Sequence, residues 1–279
     1  MGNKKIFCLA TSKTFGLEQT KQLDKFKEHG VNGFFSVYQL DSQIYALKDH
    51  AEKKGMYFQS IHAPYLPMRA MWEDKQKGKE IVDRVCECLK CAGQAQVKKV
   101  VMHLISSFDE IEPTKLGSEC FEQILECAEK YGIILCAENL EWPNILDFIL
   151  TEYGNCPNLK LCYDTGHEHC YNNYEVIQKH FLKMGAVHIN DNLGLRNVDG
   201  SLNREDDLHL LPFDGTVNFD RVCDLMVGAG FTDELTFELK IQSFPESEKY
   251  RKMDFDDYLS LAYQRMSKIR QMLDEKLKK

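Results

Sequence analysis

Apolar residues along this chain alternate between two rhythms. Short continuous runs rich in β-branched and aromatic residues are each followed by a longer stretch with apolar positions three and four apart. The first rhythm predicts strands buried on both faces, and the second predicts amphipathic helices. Strands are predicted over residues 5–10, 33–37, 57–62, 98–103, 133–138, 159–164, 186–190 and 234–238. Helices are predicted over 17–29, 42–54, 75–94, 115–131, 143–152, 174–184, 219–228 and 255–277. Gly30 and Gly55 stop the first two helices.

Strand and helix alternate to the end, with no linker, low-complexity tract or repeat beyond the βα unit itself. This order predicts α/β class and a single (β/α)8 TIM barrel domain over residues 1–279, because such barrels take about 250 residues. A doubly wound open sheet would require a glycine-rich turn after the first strand. The turn here is Thr11-Ser12-Lys13-Thr14-Phe15-Gly16, with a single glycine, so a dinucleotide fingerprint is absent.

Composition narrows the class of function. Of 279 residues, 43% are hydrophobic, ample for a full core, and the net charge of −8 argues against a dominant nucleic-acid or membrane-surface footprint. Met1-Gly2-Asn3-Lys4 runs straight into the first strand with no signal-peptide pattern, and no apolar stretch approaches the length of a membrane span. A soluble cytoplasmic protein is expected. The 11 cysteines sit mostly inside periodic runs, as reduced thiols would in that compartment. Cys88-Leu89-Lys90-Cys91 has C-x-x-C spacing, but it lies mid-helix without a second pair and is read as buried or free thiols.

Six strands in succession stop at a metal-ligand or acid/base residue: His62, His103, Glu138, Asp164, His188 and Glu238. In a barrel of parallel strands these ends converge on one mouth. Six converging ionisable groups, half of them carboxylates, repel one another unless a cation lies among them. Mixed carboxylate and imidazole donors without thiolate suit Mn²⁺, Co²⁺, Mg²⁺, Fe²⁺ or Zn²⁺. Glu138, Asp164, His188 and Glu238 would be four ligands, leaving positions open for substrate oxygens.

The ordered motifs Ser60-Ile61-His62-Ala63-Pro64-Tyr65, Ala137-Glu138-Asn139-Leu140, Tyr163-Asp164-Thr165-Gly166-His167, His188-Ile189-Asn190-Asp191 and Asp207-Leu208-His209…Gly215 resemble the xylose-isomerase-like TIM-barrel superfamily. The likeness runs from the first strand to Glu238. The superfamily includes sugar phosphate isomerases and epimerases, inosose dehydratases and the endonuclease IV group. The resemblance to the epimerases implies one divalent metal held by residues matching Glu138, Asp164, His188 and Glu238. It also implies that the two glutamates exchange protons on opposite faces of a substrate carbon, and that a residue matching His167 contacts substrate oxygen. A metal on adjacent carbonyl and hydroxyl oxygens acidifies the intervening C–H and stabilises an enediolate. One glutamate removes the proton and the other returns it.

The expected function is therefore a metal-dependent isomerase or epimerase acting on a small-molecule sugar or sugar phosphate. Glu138 and Glu238 are its catalytic residues, and His62, His103, His167, Asp207 and His209 bind substrate. A homo-oligomer is left open. The alternatives are an inosose-dehydratase-like lyase, an endonuclease IV-like zinc enzyme acting at abasic sites, or a barrel that binds a ligand without catalysis. The nuclease reading has support in the full set His62, His103, Glu138, Asp164, His167, His188, Asp207, His209 and Glu238, which in that branch binds three zinc ions. It lacks a basic rim. Between Asn192 and Asp206, Arg196 and Arg204 are offset by Asp199, Glu205 and Asp206, and Arg69 and Trp72 are followed by Glu73 and Asp74.

Smaller signals complete the reading. Trp142 walls the pocket or packs in the core. Phe15 and Tyr65 are candidates to stack on a sugar face. Lys240 meets a phosphate or pairs with a carboxylate. His169 and Cys170 are incidental loop residues, and the basic residues of the last helix, Lys268, Arg270, Lys276, Lys278 and Lys279, form a solvated face.

Overall fold

The computed structural model describes residues 5–232 and 234–279. The expectation for residues 1–4 lies outside the described residues. Among these, eight parallel strands form one sheet: β1 (Ile6–Ala10), β2 (Gly33–Val37), β3 (Tyr57–His62), β4 (Lys99–His103), β5 (Ile134–Glu138), β6 (Leu159–Asp164), β7 (Met184–His188) and β8 (Glu234–Phe237). Their order is β7-β6-β5-β4-β3-β2-β1-β8. The outer strands meet beyond the end of β7, where Ile189 N donates to Thr236 O at 2.8 Å and Glu238 N donates to Ile189 O at 3.2 Å. That contact closes the sheet into the predicted (β/α)8 barrel.

The surrounding helices are α1 (Gln19–Glu28), α2 (Asp41–Lys54), α3 (Arg69–Glu73), α4 (Lys75–Gln94), α5 (Lys115–Tyr131), α6 (Pro143–Glu152), α7 (Thr165–Cys170), α8 (Tyr174–His180), α9 (Phe219–Gly228), α10 (Glu248–Arg251) and α11 (Phe255–Lys276). Local chemistry sets their ends. Asp74 accepts from the Gln76 and Lys77 amides to start α4, and Thr114 accepts from Gly117 to start α5. Gly132 closes α5 in the left-handed region at φ +63°. Gly117 answers a different demand. A Cβ there would lie 1.9 Å from the Trp72 ring, which is buried and donates through Nε1 to Leu104 O.

The pattern of eight helices needs correction. Helices α3, α7 and α10 are too short to show a period and were not predicted. The helix expected to reach Met184 ends at His180. A 3₁₀ turn over Phe181–Lys183 follows, and Met184 already opens β7. That strand stops before Asn190 because the Asn190 amide leaves the ladder and donates to Thr165 Oγ1 at 3.1 Å.

The core has two parts. Most apolar side chains fill the layer between sheet and helices, while Val101, Cys136, Cys162 and Ala186 form a separate small-residue layer inside the barrel. Phe15 belongs to the outer layer, against Phe26, Phe255 and Tyr258, so it is not a sugar-stacking residue. Cys88 and Cys91 are buried free thiols. The basic face of α11 is only partly solvated: Arg270 is buried and donates to Thr232 O, and Lys276 bridges Asp220 and Asp224. No described helix is long and apolar enough to cross a membrane.

Candidate active site and metal centre

The strand-end groups meet where the C-terminal ends of the strands open. Glu138, Asp164, His188 and Glu238 each place one donor atom within 4.8 Å of the others, and all four are buried. His188 is central. Its Nδ1 lies 2.8 Å from Glu138 Oε1 and 3.1 Å from Glu238 Oε2, and its ring stacks on Phe35 at 4.6 Å. Glu138 also joins a second group through its other oxygen, with His62 Nε2 and His103 Nε2 each 3.1 Å from Oε2. A third group comprises His167, Asp207 and His209, with Asp207 Oδ2 at 2.9 Å from His209 Nε2 and 3.5 Å from His167 Nε2.

The D-T-G-H motif shows how local sequence builds this end of the barrel. Asp164 Oδ1 caps α7 by accepting from the His167 amide at 2.8 Å, which puts the imidazole three residues on beside the cluster. The Asn190 side-chain amide donates to both Asp164 oxygens, at 3.1 and 2.9 Å. Gly166 leaves room for it, since a Cβ there would lie 1.9 Å from Asn190 Oδ1. Asn139 clamps the Asp164 backbone, accepting from its N–H at 2.7 Å and donating to its carbonyl at 2.9 Å.

Asp191 does the same for the loop that brings Asp207 and His209. Its carboxylate accepts from the backbone N–H groups of Asn192, Phe213, Gly215 and Val217. At Gly215 a Cβ would lie 2.2 Å from Asn192 O. His209 itself adopts φ +46°, a left-handed conformation uncommon outside glycine.

The donor set fits a divalent cation. His62 Nδ1 lies 2.6 Å from Ala63 O, which can only accept, so Nδ1 carries the proton and Nε2 turns a lone pair toward the Glu138 carboxylate. Two acceptors facing each other at 3.1 Å need a proton or a cation between them. Among the described residues the buried His167 Nδ1 has no hydrogen-bond partner, and it lies 3.7 Å from Glu138 Oε1 and 3.8 Å from Asp164 Oδ1.

Electrostatics carry the same demand. Burial alone would raise Glu138, yet His188, His103 and His62 overcome it and hold the carboxyl well below its ordinary range. Burial likewise opposes Glu238, but Lys240, His209 and His188 keep it low. Asp164 goes the other way. Burial raises it, and Glu138 and Glu238 add repulsion against the pull of His167. Burial also drives His103 down to about 4, which keeps it neutral as a ligand must be.

A cavity of about 440 Å³ opens over the cluster. Tyr65, His103, His167, Asp207, His209, Glu238 and Lys240 line it, joined by Glu141, Tyr171 and Arg204, which sequence reasoning did not single out as site residues. Glu141 is buried, its Oε2 has no partner, and burial pushes its carboxyl up to about 7. It sits three residues past Glu138, one position before a tryptophan, and nothing in that spacing separates a pocket residue from a loop residue. Lys240 pairs with a carboxylate, Glu238 Oε1, at 2.9 Å. Trp142 packs against the core and donates to Ser107 O, and His169 bonds Tyr174 and Thr216 away from the cluster.

A closed parallel barrel with a buried carboxylate–imidazole cluster at its C-terminal mouth is thus the class of protein that fold and site define. Residues 23–256 match the xylose isomerase-like TIM barrel family, and the chain belongs to it. Among curated proteins, the uncharacterized protein y4fM of Sinorhizobium fredii (strain NBRC 101917 / NGR234) is 26% identical over 147 residues, which cover 52% of this chain and 42% of that one. The match thus spans less than half the length of that relative. Among solved structures, D-psicose 3-epimerase with D-tagatose from Clostridium cellulolyticum H10 superposes with a TM-score of 0.74 at 14% identity, over 96% of this chain and 99% of that one. The IOLI protein with a bound zinc atom superposes with a TM-score of 0.75 at 18% identity, over 97% and 98%.

Proposed function

We propose that the protein is a divalent-metal-dependent isomerase or epimerase of a sugar or sugar phosphate, working by proton transfer through an enediolate. One observation carries the reading: Glu138 and Glu238 reach the same His188 nitrogen from strands three places apart around the barrel, at 2.8 and 3.1 Å. Two carboxylates so placed approach a central substrate carbon from different sides. The likeness of the fold to a sugar epimerase and to a zinc-binding barrel supports the same reading.

Glu138, Asp164, His188 and Glu238 would hold the metal, which when bound supplies Lewis-acid polarisation of substrate oxygens. Glu138 and Glu238 take and return the proton. His167, oriented by Asp207, meets a substrate hydroxyl. Tyr65, above His62 and His103 at 4.7 and 5.3 Å between ring centres, screens the reacting carbon from water. Turnover of D-fructose, D-psicose, D-tagatose and their phosphates in deuterated water, with metal-replete protein, tests the proposal. Deuterium at the carbon that inverts or isomerises is the expected result. Absence of exchange across the panel would remove the assignment.

A second reading, phosphodiester hydrolysis at a multinuclear centre, is favoured by two of the three further three-donor groups among the described residues, His62–His103–Glu138 and His167–Asp207–His209; the third, Glu138–Cys162–His188, includes a thiol. Against it stand the net charge of −8 and a cavity whose Lys and Arg lining, among the described residues, is Arg204 and Lys240, the latter already paired with Glu238. Efficient incision of duplex DNA beside an abasic site at physiological salt would put this reading first.

A further inference from the structure

The third donor group shares a fixed cation with Glu238 of the four-donor group, while His62, His103 and Glu138 have none among the described residues. Lys240 Nζ lies 2.7 Å from His209 Nε2 and 2.9 Å from Glu238 Oε1. His209 Nδ1 lies 3.0 Å from the Glu238 carbonyl oxygen. A carbonyl only accepts, so Nδ1 holds the proton and Nε2 presents a lone pair. An ammonium has three donors and no acceptor, so Lys240 donates into that lone pair. A metal on His167, Asp207 and His209 would need the same electrons, because the other His209 nitrogen is committed to the backbone.

The neighbouring carboxylates point the same way. Asp207 Oδ2 lies 2.9 Å from the His209 lone pair, an acceptor against an acceptor, which calls for positive charge beside both. Lys240 also takes Glu238 Oε1 and leaves Oε2 to face His188. Among the described residues no Lys or Arg side chain is hydrogen-bonded to His62, His103, Glu138 or Asp164. The fixed cation therefore serves one side of the cluster only.

We propose that Lys240 is the resident cation of the third donor group. Its ammonium takes the His209 lone pair that a metal would otherwise take. The chain therefore loads divalent metal at the groups built on Glu138 and not at His167–Asp207–His209. The third group is left to face substrate oxygens with an ammonium and two imidazoles. This inference rests on the metal-dependent reading above, and its test is a count of ions, independent of any substrate.

The full chain is saturated with Zn²⁺, freed of loose metal by gel filtration, and analysed for zinc per chain by mass spectrometry. Lys240→Met keeps the length of the side chain and removes the charge. It is expected to bind one zinc more than wild type, and Lys240→Met with His209→Ala is expected to lose that extra ion. Lys240→Arg, which keeps the charge, should stay at the wild-type count. In the wild-type background, Asp207→Ala with His209→Ala should leave the count unchanged. An unchanged count in Lys240→Met overturns the proposal, and so does loss of an ion from the wild-type background on the double change. Lys240→Gln serves as the uncharged variant if circular dichroism shows Lys240→Met to be unfolded. A wild-type count of zero would sink the metal-dependent reading, while the difference between Lys240→Met and wild type would still decide the role of Lys240.

Discussion

Two glutamates at opposite ends of the barrel are treated in opposite ways. Glu234 opens β8 at the N-terminal end, where Lys99 Nζ lies 2.6 Å from Oε2, Gln59 donates to the same oxygen at 3.3 Å, and Tyr57 OH donates to Oε1 at 3.0 Å. Every partner is a donor, one of them is a full positive charge, and nothing is left to bind. Glu138 closes β5 at the other end. Its partners are three imidazoles at 2.8–3.1 Å, two on one oxygen and one on the other, and a fourth, His167, at 3.7 Å, with Asp164 and Glu238 close by. One end is a charge-balanced plug and the other carries unmet demand, which matches the division of a barrel into a face for stability and a face for chemistry.

That contrast breaks first on metal removal. Chelation is expected to abolish turnover, with Mn²⁺ or Co²⁺ restoring it, because among the described residues no Lys or Arg side chain pairs with Glu138 or Asp164. It should also lower the melting temperature, since a ligand at 100 times its Kd stabilises the folded state by about 2.7 kcal/mol. Undiminished turnover in a preparation shown to be metal-free would end the argument. Glu138→Gln and Glu238→Gln come next. Each should cost roughly 10²–10⁴-fold in rate, the usual worth of a placed acid or base. Metal content has to be measured alongside, and deuterium exchange in the two directions of reaction should fall differently in the two variants.

At the other end, Glu234→Ala should act on stability instead. It strands the Lys99 ammonium, whose side chain is only 15% exposed. A loss of about 3 kcal/mol in a urea titration is expected, the low end of the range for breaking a buried pair. Turnover of the folded fraction should stay at the wild-type rate. A comparable loss of rate would mean that the two ends are not independent.

The last effect is at Glu141 and depends on pH. With the carboxyl pushed up to about 7 from an ordinary 4.5, charging it in the metal-free folded protein costs on the order of 3 kcal/mol. The folded state then binds this proton more tightly than the unfolded state. The cost is therefore absent below about pH 4.5, grows between 4.5 and 7, and is complete above 7. Glu141→Gln should be nearly neutral at pH 4 and stabilising at pH 8, in denaturant titrations of the metal-free protein. A gain independent of pH would contradict the assignment.

Much of this molecule is determined by local rules, and those parts are legible in the chain. Strand and helix periods give the barrel and its order, because parallel strands buried on both faces leave continuous apolar runs. A run that stops at His62, Glu138 or Glu238 marks a mouth residue, since a charge at the end of a buried strand has to face something. The motif Asp164-Thr165-Gly166-His167 announces its geometry through a side-chain cap and a glycine. Tertiary structure alone decided the rest. Helix α7 is too short to show a period and exists because Asp164 caps it. Phe15 reads as a loop aromatic, yet the return of α11 buries it. Glu141 and Arg204 line the cavity only because separate loops converge there. Lys240 lies 31 residues beyond His209, and no spacing rule joins an ammonium to the lone pair of a distant imidazole. Local sequence selects backbone conformation residue by residue, whereas which charges share one desolvated volume is settled when the barrel closes.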